Sequence, residues 1–129
     1  MTIVVGHLAT AEGQEALNAA IAEGERTGGE VVVVVSRRDG AVPETEDAEL
    51  DQLGARFVDA GVTHQIRVVN ESVDVADDLV SAALEVDAEL LVIGLRRRSP
   101  VGKLILGSSA QRILLEAPCP VLAVKPARP

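Results

Sequence analysis

The chain has 129 residues, a formal net charge of −8, 47% hydrophobic residues and 1% aromatic residues. This length predicts one domain spanning residues 1–129, and the aliphatic content is sufficient for a buried core. The negative charge argues against nucleic-acid binding, which needs a broad basic surface, and the scarcity of aromatic residues removes the usual stacking platforms for single strands. No stretch approaches the roughly 20 apolar residues of a membrane helix, so we expect no membrane association.

The expected compartment is the cytoplasm. The first residues, MTIVVGHLATAEG, lack the basic region that opens a secretory signal peptide. Cys119 is the single cysteine and cannot form an internal disulfide, which fits a reducing compartment.

Apolar runs and helical periodicities alternate along the chain. The run EVVVVVS is typical of a strand buried on both faces of a parallel sheet, whereas HQIRVV alternates and predicts an edge strand that begins at an exposed His64. Thr10 and Ser72 are the predicted N-caps of the first and third helices, and Gly28-Gly29 and Gly61 are expected to end the first and second helices. The third helix is expected to turn Val75, Ala76, Leu79, Ala83 and Leu84 inward. Strands are predicted at 2–6, 30–36, 64–69, 88–94 and 119–125, and helices at 11–29, 48–61, 73–86 and 108–117.

This βαβαβαβαβ order predicts the α/β class, with a parallel sheet and helices on both of its faces. Ligands of such sheets bind beyond the carboxyl ends of the strands, where the strand order reverses. In this sequence those ends are the segments 6–10, 36–38, Asn70 and the residues from Gly94 onward.

The segment that follows Gly94 concentrates the positive charge of the chain. Residues 90–115 contain five basic residues and no acidic one, whereas the rest of the chain contains seven basic and twenty acidic residues. Gly107-Ser108-Ser109 opens a helix, and the unpaired amide groups of a helix N-terminus suit phosphate oxygens. We therefore expect a polyphosphate ligand here. The basic residues are Arg96, Arg97, Arg98, Lys103 and Arg112.

Two simpler interpretations stay open. Ser108 and Ser109 can serve as helix caps without any ligand, and the three consecutive arginines can be a solvated loop or can pair with acidic residues of a partner subunit. The stretch VGKL is not a Walker P-loop, because Leu104 follows Lys103 and Arg97 stands five positions before Gly102.

The spacing in this segment resembles the signature of the universal stress protein family, which reads Gly, two residues, Gly, nine residues, then Gly-Ser or Gly-Thr. Gly94 fills the first position and Gly107-Ser108 the third, but Arg97 occupies the position of the second glycine. The ending APCPVLAVK is also similar to the last strand of the family. A second departure is His7, which stands where ATP-binding members carry an Asp at the end of the first strand.

The resemblance implies an adenine nucleotide alpha hydrolase-like fold, with a five-stranded sheet in the order 3-2-1-4-5 and a homodimer formed through Val121–Val124. It also implies ATP or another adenine nucleotide as ligand, with or without Mg²⁺, and protein partners that the sequence does not identify. Arg97 can complete the phosphate site or fill it. The implied nucleotide-binding residues are Gly6, His7, Leu8, Val34, Ser36, Gly94, Arg96, Arg97, Gly107, Ser108 and Ser109.

Three functions compete. The first is a stress-response regulator that binds the nucleotide without rapid turnover, and the second is an interaction module of the same fold that binds no nucleotide. The third is a slow ATP hydrolase, but hydrolysis needs a metal-binding acid and a group that positions water. The predicted strand ends carry no evident acid, and His7 is an isolated candidate base, so we identify no catalytic or metal-binding residue.

Overall fold

The structure is a computed structural model that describes residues 1–7, 11–37, 43–97 and 104–125. Among the residues singled out from the sequence, Leu8, Thr10, Arg98 and Lys103 lie outside these ranges. Strands and helices alternate as expected in the described part. The strands are β1 (Thr2–Gly6), β2 (Glu30–Ser36), β3 (His64–Val69), β4 (Leu90–Gly94), β5 (Arg96–Arg97), β6 (Leu104–Ile105) and β7 (Val121–Val124), and the helices are α1 (Ala11–Thr27), α2 (Pro43–Ala60), α3 (Val75–Glu85) and α4 (Ser108–Glu116).

Five strands form one parallel sheet in the order β3-β2-β1-β4-β7, and β5 and β6 form a separate antiparallel pair. Because β7 is the fifth strand of the main sheet, the expected order 3-2-1-4-5 is confirmed. The sequence treated residues 95–107 as a loop and did not predict the β5–β6 pair. β3 and β7 are the two edges of the sheet, and β1 lies at its centre between β2 and β4.

The five valines of β2 explain why the sheet is covered on both faces. Successive strand residues point to opposite faces, and all five valines are buried. The odd-numbered ones pack in one cluster with α1 and α2, and the even-numbered ones pack in a second cluster with α3 and Ile113 of α4. A strand between two helical layers has no face left for a polar side chain, which accounts for the continuous apolar run.

Glycine ends two of the helices as predicted. Gly28 follows α1 with a φ of 71°, and Gly61 follows α2 with a φ of 70°, a left-handed conformation that favours glycine. α2 begins at Pro43, five residues before the predicted start at residue 48. Proline suits the first position of a helix because that position needs no amide donor.

Three predictions around β3 and α3 were wrong. Asp74, not Ser72, is the N-cap of α3, and its carboxylate accepts a hydrogen bond of 2.8 Å from the Ala76 amide. Leu84 was expected to face inward but is 62% exposed. His64 is not a free surface residue, since its ring stacks on Phe57 with the centroids 4.9 Å apart.

Candidate functional site

The carboxyl ends of β1, β2 and β4 meet at the centre of the sheet, and this edge brings together five of the predicted site residues. β1 pairs with β2 on one side and with β4 on the other, so the strand order reverses between β1 and β4. Ligands of doubly wound sheets bind at this kind of reversal. The residues at these ends are Gly6 and His7 after β1, Val34 and Ser36 in β2, and Gly94 in β4.

Gly94 serves the packing of β4 against α1. A Cβ atom added at Gly94 would lie 2.2 Å from the carbonyl oxygen of Glu12 and 2.8 Å from its carbonyl carbon. Real Cβ atoms essentially never approach another atom within 3.0 Å, so only glycine allows the first turn of α1 to lie this close to β4. The first glycine of the motif therefore has a structural reason that requires no ligand.

The N-terminus of α4 is open. Gly107 is its N-cap and has no side chain that accepts a hydrogen bond from the first turn, and a Cβ added there would meet nothing within 4 Å. Ser108 and Ser109 are the first two helical residues and are exposed, so the expectation that they act as N-caps is wrong. The amide donors of this turn remain available to an anion.

Arg112 lies one turn further along α4 and is paired with acidic residues. Its guanidinium pairs with Asp74 and Asp77 at the start of α3 and lies 3.4 Å from Glu116 on its own helix. The hydrogen bond to Asp77, followed by the charges of Asp77 and Asp74, raises the pKa of Arg112. Arg112 therefore fixes α4 against α3, and its charge is already balanced by protein carboxylates.

His7 borders a cavity of about 230 Å³ between α1 and α2. The Nδ1 atom of His7 is buried and has no hydrogen-bond partner within the described ranges. Arg56 crosses from α2 to α1, where it donates to Asn18 and, over 3.1 Å, to Gln14. The residues that line the cavity are His7, Gln14, Leu17, Glu49, Gln52, Leu53 and Arg56.

Two separate surfaces therefore represent the predicted site. The lining of the His7 cavity does not include Gly94, Gly107, Ser108 or Ser109. The open α4 terminus and the His7 cavity lie on elements that pack on opposite faces of the sheet, since α1 and α2 belong to one core cluster and α4 to the other.

The polar groups of β2 already have partners. The carbonyl of Val34 accepts a hydrogen bond of 2.9 Å from the His7 amide, and the Val34 side chain is buried. The Ser36 hydroxyl donates to the Oδ2 atom of Asp78 over 2.6 Å, and the Ser72 hydroxyl donates to the same oxygen over 2.5 Å. Both groups have to share or exchange these bonds if they are to contact a ligand.

The basic segment adds one element of backbone structure. Arg96 and Arg97 form β5, in which Arg97 pairs with Leu104 of β6. Among the described residues there is no group of three or more His, Cys, Asp or Glu side chains arranged to hold a metal ion. A search of the same residues also finds no helix long and apolar enough to cross a membrane.

The comparison with known proteins identifies the family. The model of the universal stress protein family matches residues 1–125. This chain belongs to that family. A curated universal stress protein from Mycolicibacterium smegmatis is 44% identical over 127 residues, which cover 96% of this chain and 97% of that protein.

Two solved structures of universal stress proteins from Archaeoglobus fulgidus share the fold. The first is 33% identical with a TM-score of 0.78, covering 97% of this chain and 98% of the other. The second, solved in complex with dAMP, is 27% identical with a TM-score of 0.75 and the same coverage.

Sequence reasoning did not find the polar wall of the His7 cavity or the acidic partners of Arg112. Glu49, Gln52 and Arg56 recur at spacings of three and four, which places them on one face of α2. This spacing is visible in the sequence, but it is equally typical of a solvent-exposed helix face. Asp74 and Asp77 stand thirty-eight and thirty-five residues before Arg112, and no local pattern connects them.

Proposed function

We propose that the protein binds an adenine nucleotide at the carboxyl ends of β1 and β4, with the phosphate groups on the N-terminus of α4. The observation that carries this proposal is the open first turn of α4, where Gly107 caps the helix without a side-chain hydrogen bond and a Cβ added to it would meet no described atom within 4 Å. A helix N-terminus of this kind combines free N–H donors with the positive end of the helix dipole.

The family supports the identity of the ligand. The universal stress protein from Archaeoglobus fulgidus that was solved with dAMP shares 27% of its residues with this chain across almost the full length of both. We extend the adenine nucleotide class from that protein to this one. ATP, with or without Mg²⁺, is the specific ligand we propose, because the basic residues around β5 favour a polyphosphate over a monophosphate.

We assign the roles so that one nucleotide spans the carboxyl edge of the sheet, from His7 on one side to the N-terminus of α4 on the other. Gly6 ends β1 and His7 follows it; both are assigned, together with Leu8, to the nucleoside, for which the buried Nδ1 atom of His7 offers an unused hydrogen-bonding position. Val34 and Ser36 are assigned to the edge of the base. The phosphate groups are assigned to Gly94, Arg96, Arg97, Gly107, Ser108 and Ser109.

The proposed role is regulation in a cytoplasmic stress response through binding rather than turnover. Hydrolysis requires an acid that holds a metal and a group that orients water. The residues assigned to the phosphate groups are glycine, serine and arginine, and none of them is an acid that could hold a metal ion together with a serine hydroxyl. We therefore expect phosphate release to remain at the background rate.

Calorimetric titration with ATP, ADP and AMP tests the proposal, with Gly107→Ala as the informative variant. The φ of Gly107 is −67° and the space around it is open, so alanine fits the backbone while its methyl group intrudes on the ligand. Gly54→Ala is the matched control, since its new Cβ meets only the His64 Nε2 atom at 3.6 Å. We expect binding by the wild type and by Gly54→Ala and a loss of at least tenfold in Gly107→Ala; no binding heat at millimolar nucleotide would contradict the proposal.

We also propose a homodimer formed through β7. This strand pairs with β4 alone in the described structure, and Leu122 on it is 37% exposed. An unpaired apolar edge strand favours self-association, and pairing with a second copy would satisfy its free backbone groups.

A second candidate function is an interaction module of the same fold without nucleotide. The contact between Gly94 and Glu12 favours it, because packing alone explains that glycine. This alternative predicts that freshly purified protein releases no nucleotide on denaturation and that Gly107→Ala changes no binding property. A stoichiometric nucleotide in the denatured sample would refute it.

A further inference from the structure

A second cavity lies on the face of the sheet opposite the His7 cavity. It has a volume of about 300 Å³ and runs between α3 and the edge strand β3. Cavities from about 300 Å³ upward hold small ligands in many proteins. None of its described lining residues belongs to the α4 terminus or to the His7 cavity, although Val34 is also one of the residues proposed to contact the base of the nucleotide. The lining consists of Val34, Arg67, Val68, Val69, Asp78, Ser81, Ala82 and Glu85.

Arg67 lines this cavity and has one donor without a partner among the described residues. One terminal nitrogen, Nη2, lies 2.8 Å from the carboxylate of Glu85, whereas the other, Nη1, is buried and has no hydrogen-bond partner among the residues described. A buried guanidinium nitrogen without an acceptor is unfavourable, because it has lost its contact with water. The Arg67 side chain is 31% exposed, so its guanidinium can turn Nη1 toward the cavity, where a ligand carboxylate oxygen would provide the missing acceptor and form a charge-assisted hydrogen bond.

The other charged residues in the described lining of the cavity are acidic. Asp78 and Glu85 both line it, and they stand two helical turns apart on the same side of α3. The Ser36 and Ser72 hydroxyls fix the Asp78 carboxylate through its Oδ2 atom. One cation facing two carboxylates disfavours a simple anion such as phosphate, and it favours a ligand that brings its own positive group.

The walls between these charges are small and apolar. Val34, Val69 and Ala82 present aliphatic surface with no hydrogen-bonding side chain. We propose that this cavity binds a small zwitterionic amino acid with a short aliphatic side chain. The carboxylate of the ligand accepts from Arg67 Nη1, its ammonium group faces the acidic side formed by Asp78 and Glu85, and its side chain contacts the apolar wall.

Three probes test this proposal. Each is titrated into the isotope-labelled protein, and the amide chemical shifts of β3 and α3 report binding. L-valine carries both charges, isovalerate lacks the ammonium group, and isobutylamine lacks the carboxylate. We expect L-valine to bind at least tenfold more tightly than either analogue. Equal affinity for isovalerate would overturn the zwitterion assignment, and no shift of these amides with L-valine at millimolar concentration would overturn the site.

Two arginine variants and one acid variant sharpen the test. Arg67→Met keeps the aliphatic stem and should weaken the binding of L-valine at least tenfold. The control Arg26→Met removes a comparable ion pair with Glu23 on an exposed part of α1 and should leave the affinity for L-valine unchanged. Glu85→Gln should reduce the preference for L-valine over isovalerate, because it removes one of the two carboxylates. Unchanged binding in Arg67→Met, or an unchanged preference in Glu85→Gln, would refute the proposal.

Val34 is shared with the proposed nucleotide site, but the two proposals can be tested separately. The probes carry no base or phosphate group, and the observed amides belong to β3 and α3. Loss of L-valine binding in Arg67→Met with ATP binding retained would support this site alone.

Discussion

The substitution Gly94→Ala tests the packing of β4 against α1. The added Cβ atom would lie 2.2 Å from the Glu12 carbonyl oxygen, about 0.8 Å short of the 3.0 Å limit for such contacts. The obstacle is backbone at the start of a helix, so no side-chain rotation relieves it, and α1 or β4 has to shift. Overpacking of this kind costs about 1–3 kcal/mol, occasionally more.

Thermal unfolding measures this cost directly. For a chain of this length each kcal/mol shifts the unfolding midpoint by about 4 °C, so we expect Gly94→Ala to unfold about 4–12 °C below the wild type. Gly107→Ala should leave the midpoint almost unchanged, because the new methyl group meets nothing within 4 Å. Gly54→Ala, inside α2, should raise the stability by about 0.5–1 kcal/mol through helix propensity. A Gly94→Ala protein as stable as Gly107→Ala would refute the packing account.

Three further predictions follow from the described contacts. Arg112→Gln should weaken ATP binding several-fold in a calorimetric titration, because α4 loses its ion pairs to the start of α3. The control Arg26→Gln should bind ATP as the wild type does. Equal affinities of the two variants for ATP would count against a positioning role of Arg112. Ala123→Pro should convert the proposed dimer to a monomer in sedimentation measurements, while Ala123→Val should not. The carbonyls of Pro120 and Val124 accept hydrogen bonds from the amides of Leu91 in β4 and of Leu95 directly after it, so the Ala123 amide faces the free edge. A dimeric Ala123→Pro protein would exclude β7 pairing. Burial raises the pKa of the Cys119 thiol above its ordinary value of 9.0. The contribution of this buried thiol to stability is therefore complete below pH 9.0 and is lost as the pH rises through the raised pKa of the folded state. Iodoacetamide at pH 8 should modify the folded protein more slowly than the protein in urea, and equal rates would contradict this.

The sheet could be predicted because its signals are local and consistent. Five apolar runs alternate with helical periodicities, and Gly28 and Gly61 mark helix ends at positions that the structure confirms with positive φ angles. The continuous valines of β2 predict burial on both faces, and the structure places all of them in the core. The strand order came from the family resemblance, because periodicity does not specify which strands are neighbours.

The parts that failed depend on contacts between distant residues. Ser72 is a good N-cap by composition, but its hydroxyl donates to Asp78, and Asp74 caps α3 instead. His64 has a polar ring in a strand that alternates, yet Phe57 of α2 provides a stacking partner that no local pattern reveals. Arg112 counts as positive charge in the sequence, and only the packing of α4 on α3 shows that carboxylates neutralise it.

The position of the nucleotide is the central claim, and a titration of the isotope-labelled protein with ATP tests it most directly. Amide chemical shifts report where the ligand contacts the backbone. We expect saturable changes in the amide chemical shifts of His7, Gly107, Ser108 and Ser109, and smaller changes in the later turns of α4. Saturable binding that leaves the first turn of α4 unperturbed would contradict it, as would the absence of any shift at millimolar ATP.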